Sequence, residues 1–318
     1  MNVWQSWPTS QPFSGAVGIL EQKVSPFHRR HRNASVHGLS GGDDGGSLAG
    51  EGVSRLIRLF LLPVLILTAL AVVTIHPVTD PDVWFHLALG REVVENGSLP
   101  RGDIFSFTAP QREWISSGWG SSVLLYLVYR AGGDAGLAKL TFVVAAAAHL
   151  IVYLTALLRF RNPGGVALLQ LAGILAAYLR YSPRPDLWSH LFVAALMAVL
   201  LLASEESPAD GKARRRMFAG SGVLWTLIPL FALWANFHAG FMAGILAVAV
   251  YALWRMARWR LTGSKEELLA VVPCLLACGA WVLNPYGMRL AALAGKIESI
   301  PHVKELIYEW KPLWAVRP

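Results

Sequence analysis

A chain of 318 residues that is 54% hydrophobic and only 15% charged carries far less charge than the roughly 25% of an ordinary soluble domain. Its apolar residues fall in blocks of about 18 to 24, long enough to cross hydrocarbon, which excludes a water-soluble globular protein. The net charge of +8 flanks those blocks instead of forming one basic face, so it reads as membrane topology and excludes nucleic acid as a partner.

Residues 1–54 are rich in Gly, Ser and Pro and include the basic run His28, Arg29, Arg30, His31 and Arg32, with no apolar signal-peptide core. They read as a disordered cytoplasmic tail ahead of a transmembrane module over residues 55–318. The glycines around Asp43 and Asp44 do not make a phosphate loop, because no strand precedes them and no Gly-Lys-Ser/Thr follows.

The first span is expected from about 56 to 75, entered from the side of Arg55 and Arg58, so that an outer loop, 76–135, emerges on the far side. This loop is too polar to lie bare in lipid. Within it, the apolar run 118–129 is too short to cross and is expected to lie in the interface as a helix. Further spans follow at about 137–158, 165–180, 187–203, 220–236, 239–254 and 267–283. That makes about seven transmembrane helices in an all-α integral membrane protein. With the short run kept out of the count, Arg159 and Arg161, the cluster Lys212, Arg214, Arg215, Arg216, and the cluster Arg255, Arg258, Arg260, Lys265 all fall inside, as the positive-inside rule asks. Cys274 and Cys278 sit one helical turn apart in an apolar run, a poor geometry for a disulfide and an incomplete metal site.

This topology collects the unusual polar residues on the outer side. The segment Thr79-Asp80-Pro81-Asp82-Val83-Trp84-Phe85-His86 opens a helix with Asp80 as its cap and Pro81 in its first turn. Asp82 and His86 are then four apart on one face, an arrangement suited to a general base. The plainer reading makes them a cap, a solvated acid and an interfacial ring, and one Asp-x-Asp is a weak metal signal. Arg180, Arg184 and Asp186 belong to the second outer turn, where guanidinium groups grip phosphate or where Arg184 and Asp186 simply lock the turn. His238, flanked by Trp234, Asn236 and Gly240, occupies a third tight turn, either lining a cavity or closing a helical hairpin. Asn284-Pro285-Tyr286-Gly287 reads as a helix stop, and the stretch around His302 as an amphipathic cover over the outer face.

Taken together, Asp80-Pro-Asp-x-Trp-x-His86, Ser106-Phe-Thr108, Arg184-Pro-x-Leu187, Trp234-x-Asn-x-His238-x-Gly240 and Asn284-Pro-Tyr-Gly287 resemble bacterial membrane proteins of the GT-C glycosyltransferase superfamily, whose wider relatives include protein mannosyltransferases and aminoarabinose transferases. The resemblance covers about residues 55–315. It implies a GT-C-like module in the bacterial inner membrane with a cytoplasmic N-terminus, and a polyprenyl-phosphate-linked sugar as donor. An acid just after the first span, Asp80 or Asp82, would serve the acceptor or a divalent metal, the one cofactor the resemblance brings in. His86 would orient that acid, Arg184 with Arg180 and Asp186 would meet the donor phosphate, and Trp84, Asn236, His238 and His302 would line the cavity. Relatives usually carry further spans or a soluble domain beyond the seventh helix, whereas this sequence ends at Pro318. The residues alone leave two alternatives open: a non-enzymatic scaffold or partner subunit, which would present a flat polar face, and, third, a transporter, which would place ionisable groups at the bilayer midplane.

Overall fold

The computed structural model of the chain describes residues 52–107, 113–160, 162–204 and 221–292, all within the unit Leu48–Pro318. The tail before residue 52, the basic cluster from Lys212, Thr108 and the cover around His302 lie outside the described residues. Those described are helical, with one isolated bridge between Gly102 and Glu113 and no strand.

Helix α1, Gly52–Thr74, begins inside the stretch expected to be tail. Proline at position 63 shapes its first turns, since it has no N–H to give. The backbone answers with a π-helical turn, Ile57–Leu61, in which the Leu62 N–H reaches back to Ile57 O. The next bond in that pattern would come from Pro63 to Arg58 O, and the Tyr153 hydroxyl supplies it instead at 2.8 Å. Only Ile66, Leu70 and Thr74 of the α-helical part are buried, one stripe at a four-residue spacing. Val64, Leu65 and Val72 stay exposed, as a lipid-facing surface requires.

Helix α2, Asp82–Asn96, ends at Gly97 with φ 64°, a left-handed stop that glycine adopts without penalty. Helix α3, Trp119–Arg159, is broken at Gly133, whose φ 57° and ψ −149° belong to glycine alone. The break turns the chain back on itself: a Cβ added at Gly136 would stand 2.9 Å from Val128 O, although eight residues of straight helix span about 12 Å. The first arm, 119–132, is about 21 Å long, short of the roughly 30 Å of hydrocarbon. The run 118–129 is therefore a separate helix from the one that follows. Val83 and Leu87 of α2 pack with Leu125 and Leu137 from the two arms in a small apolar core of their own.

Helix α4, Pro163–Ala176, is capped by Asn162, which accepts from the Gly165 N–H at 2.9 Å. It leads through the 3₁₀ turn Tyr178–Arg180 to α5, Asp186–Ala203. Helix α6, Leu227–Phe237, continues a 3₁₀ turn, Ser221–Thr226, and is followed by α7, Phe241–Thr262, and α8, Lys265–Ala280. The main core joins these helices to α1 and the second arm of α3, with Trp234, Tyr153, Phe231 and Leu224 fully enclosed. Gly244 lets α7 close on Trp234, for a Cβ there would lie 2.6 Å from the indole ring. Both cysteines are free thiols.

Among the described residues, four helices are long and apolar enough to cross a membrane: Gly52–Thr74, Trp119–Arg159, Asp186–Ala203 and Phe241–Thr262. Helices occupy the other expected positions too, but Pro163–Ala176 and Gly222–Phe237 are shorter and Lys265–Ala280 opens with charged residues.

Candidate functional site

The start of α2 shows how local chemistry sets the site. Asp80 Oδ1 accepts the Asp82 N–H at 3.0 Å, and Pro81, which has no N–H to satisfy, occupies the first turn. The other oxygen, Asp80 Oδ2, accepts from the Ser182 hydroxyl at 3.0 Å and pairs with Arg184 Nε at 3.1 Å. Asp80 therefore ties the N-terminus of α2 to the turn before α5. Arg184 also stands 3.4 Å from Asp82 Oδ2 and 3.4 Å from Asp186 Oδ1. The expected pairing of Arg184 with Asp186 is thus one edge of a larger cluster, three carboxylates about one guanidinium. The Asp82 side chain is 65% exposed and that of Asp80 20%, so Asp82 is the carboxylate left open.

Beside this cluster lies a cleft of about 490 Å³ lined by Asp82, His86, Arg180, Arg184, Asp186 and His238, with residues 114–118 as a further wall. That volume suits a small ligand or the reacting end of a larger one. The expected bond between Asp82 and His86 does not form. Asp82 turns to Arg184, and His86 Nδ1 lies 3.1 Å from the hydroxyl of Ser122 in the first turns of α3. Burial holds the His86 imidazole well below its usual range, at about 4, against the upward pull of Asp82 and Asp186. His238 Nδ1 lies 2.6 Å from Ser189 Oγ and accepts the Gly240 N–H at 3.1 Å. Burial lowers its pKa as well, with Asp186 pulling the other way. The ring therefore closes the hairpin between α6 and α7 and lines the cleft at once.

Contrary to expectation, Trp84 and Asn236 do not line the cleft. Trp84 is half exposed and sets its edge on Tyr129 at 6.0 Å, because position 84 lies on a different side of α2 from 82 and 86. Asn236 is a brace: its Oδ1 accepts from Trp119 Nε1 at 2.8 Å, and its Nδ2 donates to Ala232 O and Leu283 O at 2.7 and 2.9 Å. After α8, Asn284 organises the expected stop, accepting the Tyr286 N–H at 2.7 Å ahead of Gly287 at φ 54°. Arg289 in the following turn pairs with Glu113, securing the wall of the cleft.

Sequence reasoning missed Ser122, Ser182 and Ser189, which hold His86, Asp80 and His238, and Trp114 in the cleft wall. It also missed a closed polar chain deeper in the helices. Gln170 Nε2 donates to His149 O at 2.8 Å, which turns its Oε1 toward His149 Nδ1 at 2.6 Å, and the Tyr181 hydroxyl meets His149 Nε2 at 2.8 Å.

Among the described residues no three His, Cys, Asp or Glu side chains are grouped to hold a metal ion. The arrangement explains why Asp80, Asp82 and Asp186 do not fit one: the Arg184 guanidinium stands among them where a divalent cation would have to sit, so the donor set is already engaged by a positive charge. No family model, no curated protein and no solved structure matches this chain.

Proposed function

We propose that the protein is a membrane glycosyltransferase that moves a sugar from a polyprenyl-phosphate carrier to a hydroxyl acceptor at the outer face of a bacterial inner membrane, by single displacement with inversion. The observation that carries this reading is the cleft. Acids, guanidiniums and two imidazoles reach it from α2, the turn before α5, the start of α5 and the α6–α7 turn. Arg184 and Arg180 meet the carrier phosphate and stabilise charge on it as it leaves, a contribution of about 3 kcal/mol for one well-placed donor. The Asp82 and His86 side receives the acceptor and takes its proton. The sequence resemblance supports the same class of donor.

In this reading the seven helices cross the membrane with the N-terminus in the cytoplasm, and α2 and the first arm of α3 lie along the outer interface. A scaffold subunit would need only a flat polar face; the open cleft that these polar residues line supports the transferase reading instead. The test is transfer from a labelled polyprenyl-phosphate sugar by purified protein and by Asp80→Asn, Asp82→Asn and Arg184→Ala variants. Transfer that drops at least tenfold in Asp82→Asn and Arg184→Ala is expected. Unchanged rates in all three would reject the proposal.

A further inference from the structure

We infer that His86 and His238 face the cleft as opposite neutral tautomers: His86 presents a bare Nε2 that takes the acceptor's proton, and His238 presents an Nε2–H that binds the departing phosphate oxygen. The catalytic roles rest on the sugar-transfer reading above; the tautomers rest on geometry alone.

For His86, the deciding neighbour is Ser122. Its hydroxyl lies 3.1 Å from Gly118 O, four residues back in the helix, and a carbonyl can only accept, so the hydroxyl hydrogen goes there. The oxygen is then left as an acceptor toward His86 Nδ1, 3.1 Å away, in a spot where Ser122 is fully buried and no solvent competes. Nδ1 must therefore carry the hydrogen, and Nε2 keeps a lone pair. For His238 the logic runs the other way. The Gly240 backbone N–H, which can only donate, points at Nδ1 from 3.1 Å. Ser189 Oγ accepts from Trp234 Nε1 at 2.9 Å and so turns its own hydrogen to Nδ1 at 2.6 Å. Nδ1 is an acceptor twice over, and the ring hydrogen sits on Nε2. Any side chain at Gly240 would collide with Ser189 Oγ, so glycine there is what lets this chain close.

No described residue bonds to Nε2 of either ring, and both rings line the same cleft. Burial keeps both neutral near pH 7, with Asp82, Asp186, Arg184 and Asp80 the charges facing His86, and Asp186, His190 and Arg184 the groups facing His238. In the transfer step the acceptor O–H proton passes to His86 Nε2 while the acceptor oxygen bonds to the sugar's anomeric carbon. The bond from that carbon to the carrier phosphate breaks, its electron pair stays on the phosphate oxygen, and that oxygen accepts the His238 Nε2–H with Arg184 and Arg180 nearby. Polyprenyl phosphate leaves, and His86 returns its proton to water.

Two measurements on the full-length solubilised protein decide this. In ¹⁵N spectra of histidine-labelled protein, with signals assigned through their loss in His86→Asn and His238→Gln, His86 Nε2 and His238 Nδ1 should resonate as bare nitrogens. The reverse pattern in either ring overturns the inference whether or not the protein transfers sugar. In the second measurement, His86→Asn keeps an N–H for Ser122 but offers no basic nitrogen to the cleft. Its turnover should fall on the order of 10²- to 10⁴-fold with the KM for donor nearly unchanged, and added imidazole should restore part of the rate to His86→Ala. A turnover for His86→Asn within about threefold of wild type, well under the smallest effect of a general base, refutes the base. Failure of the wild-type protein to transfer from any polyprenyl-phosphate sugar defeats the transfer reading and the base with it, while the spectra still decide the tautomers.

Discussion

Each end of helix α7 sits beside a cluster of guanidinium and carboxylate groups, and the two clusters are built on opposite plans. The helix has 22 residues, about 33 Å at 1.5 Å per residue, close to the thickness of bilayer hydrocarbon. Near its first residues, one Arg184 stands among three acids beside an open cleft. At its far end the ratio inverts: Arg255 and Arg258 share Glu267, at 3.0 and 2.9 Å to its two oxygens. There the guanidiniums lie over the rings of Tyr251 and Trp254 at 5.3 to 5.8 Å, and Arg255 and Glu267 are buried. Each oxygen of Glu267 has its own cation, and aromatic faces cover the positive side. Such a cluster rivets α7 to α8 and has nothing left to offer a ligand. The first cluster keeps one exposed carboxylate, Asp82, beside a cleft that Arg180 and Arg184 also line, so the same chemistry stays accessible. An ion pair says little about function until its stoichiometry and its cover are known.

The contrast breaks most plainly under substitution at its two centres. Arg184→Ala should lower sugar transfer by about 10²- to 10³-fold, measured as turnover of labelled carrier. Glu267→Ala should leave turnover per folded molecule unchanged yet lower the free energy of unfolding by about 3 to 5 kcal/mol, because it strands the buried Arg255 guanidinium; denaturant titration in detergent checks it. Loss of transfer in Glu267→Ala protein that is still folded would erase the distinction between the ends. Gly133→Ala should cost about 1 to 3 kcal/mol of stability, since no side chain tolerates that backbone, and should loosen the α2 wall of the cleft.

Smaller effects sharpen the picture at the open end. Ser182→Ala removes one hydroxyl from Asp80 and should cost about 1.5 to 3 kcal/mol at most, leaving Arg184 as the partner of Oδ2 while Oδ1 keeps the Asp82 N–H. The response to acid follows from His86, whose pKa drops from 6.5 to about 4 on folding through burial, with Asp82, Asp186 and Asp80 opposing and Arg184 assisting. The unfolded chain takes up this proton first, so the group's contribution to stability falls as the pH drops from about 6.5 to about 4 and levels off below. Transfer should hold across that window wherever the protein stays folded, then decline below about pH 4 as the Nε2 lone pair is lost; a pH profile of turnover reads both limbs.

Much of the helical plan was legible because it follows from residue type over short distances. The break between the short run 118–129 and the long helix falls at Gly133, inside a Gly-Gly pair. Asp80 with Pro81 starts α2 where a cap and an N-terminal proline belong. The pairing of Arg184 with Asp186 is local and was readable for the same reason. What escaped are contacts that depend on tertiary closure. Ser122, Ser182 and Ser189 are ordinary serines in sequence, and their partners lie 36, 102 and 49 residues away. The Asp82–His86 bond, sound as helix geometry, yields because folding brings each side chain a different partner. Trp84 read as cavity-lining through its neighbours, yet a helix turns about 100° per residue and carries position 84 away from the face of 82 and 86.

The sidedness of α7 tests the central claim most directly. In a background with Cys274 and Cys278 changed to Ala, Ser117→Cys in the cleft wall and Thr262→Cys at the far end of α7 can be treated in intact cells with a membrane-impermeant thiol reagent. Labelling of position 117 from outside, with position 262 reached only after the membrane is opened, is the expected result. Position 262 labelled from outside, or both positions reached from the same side, would contradict it.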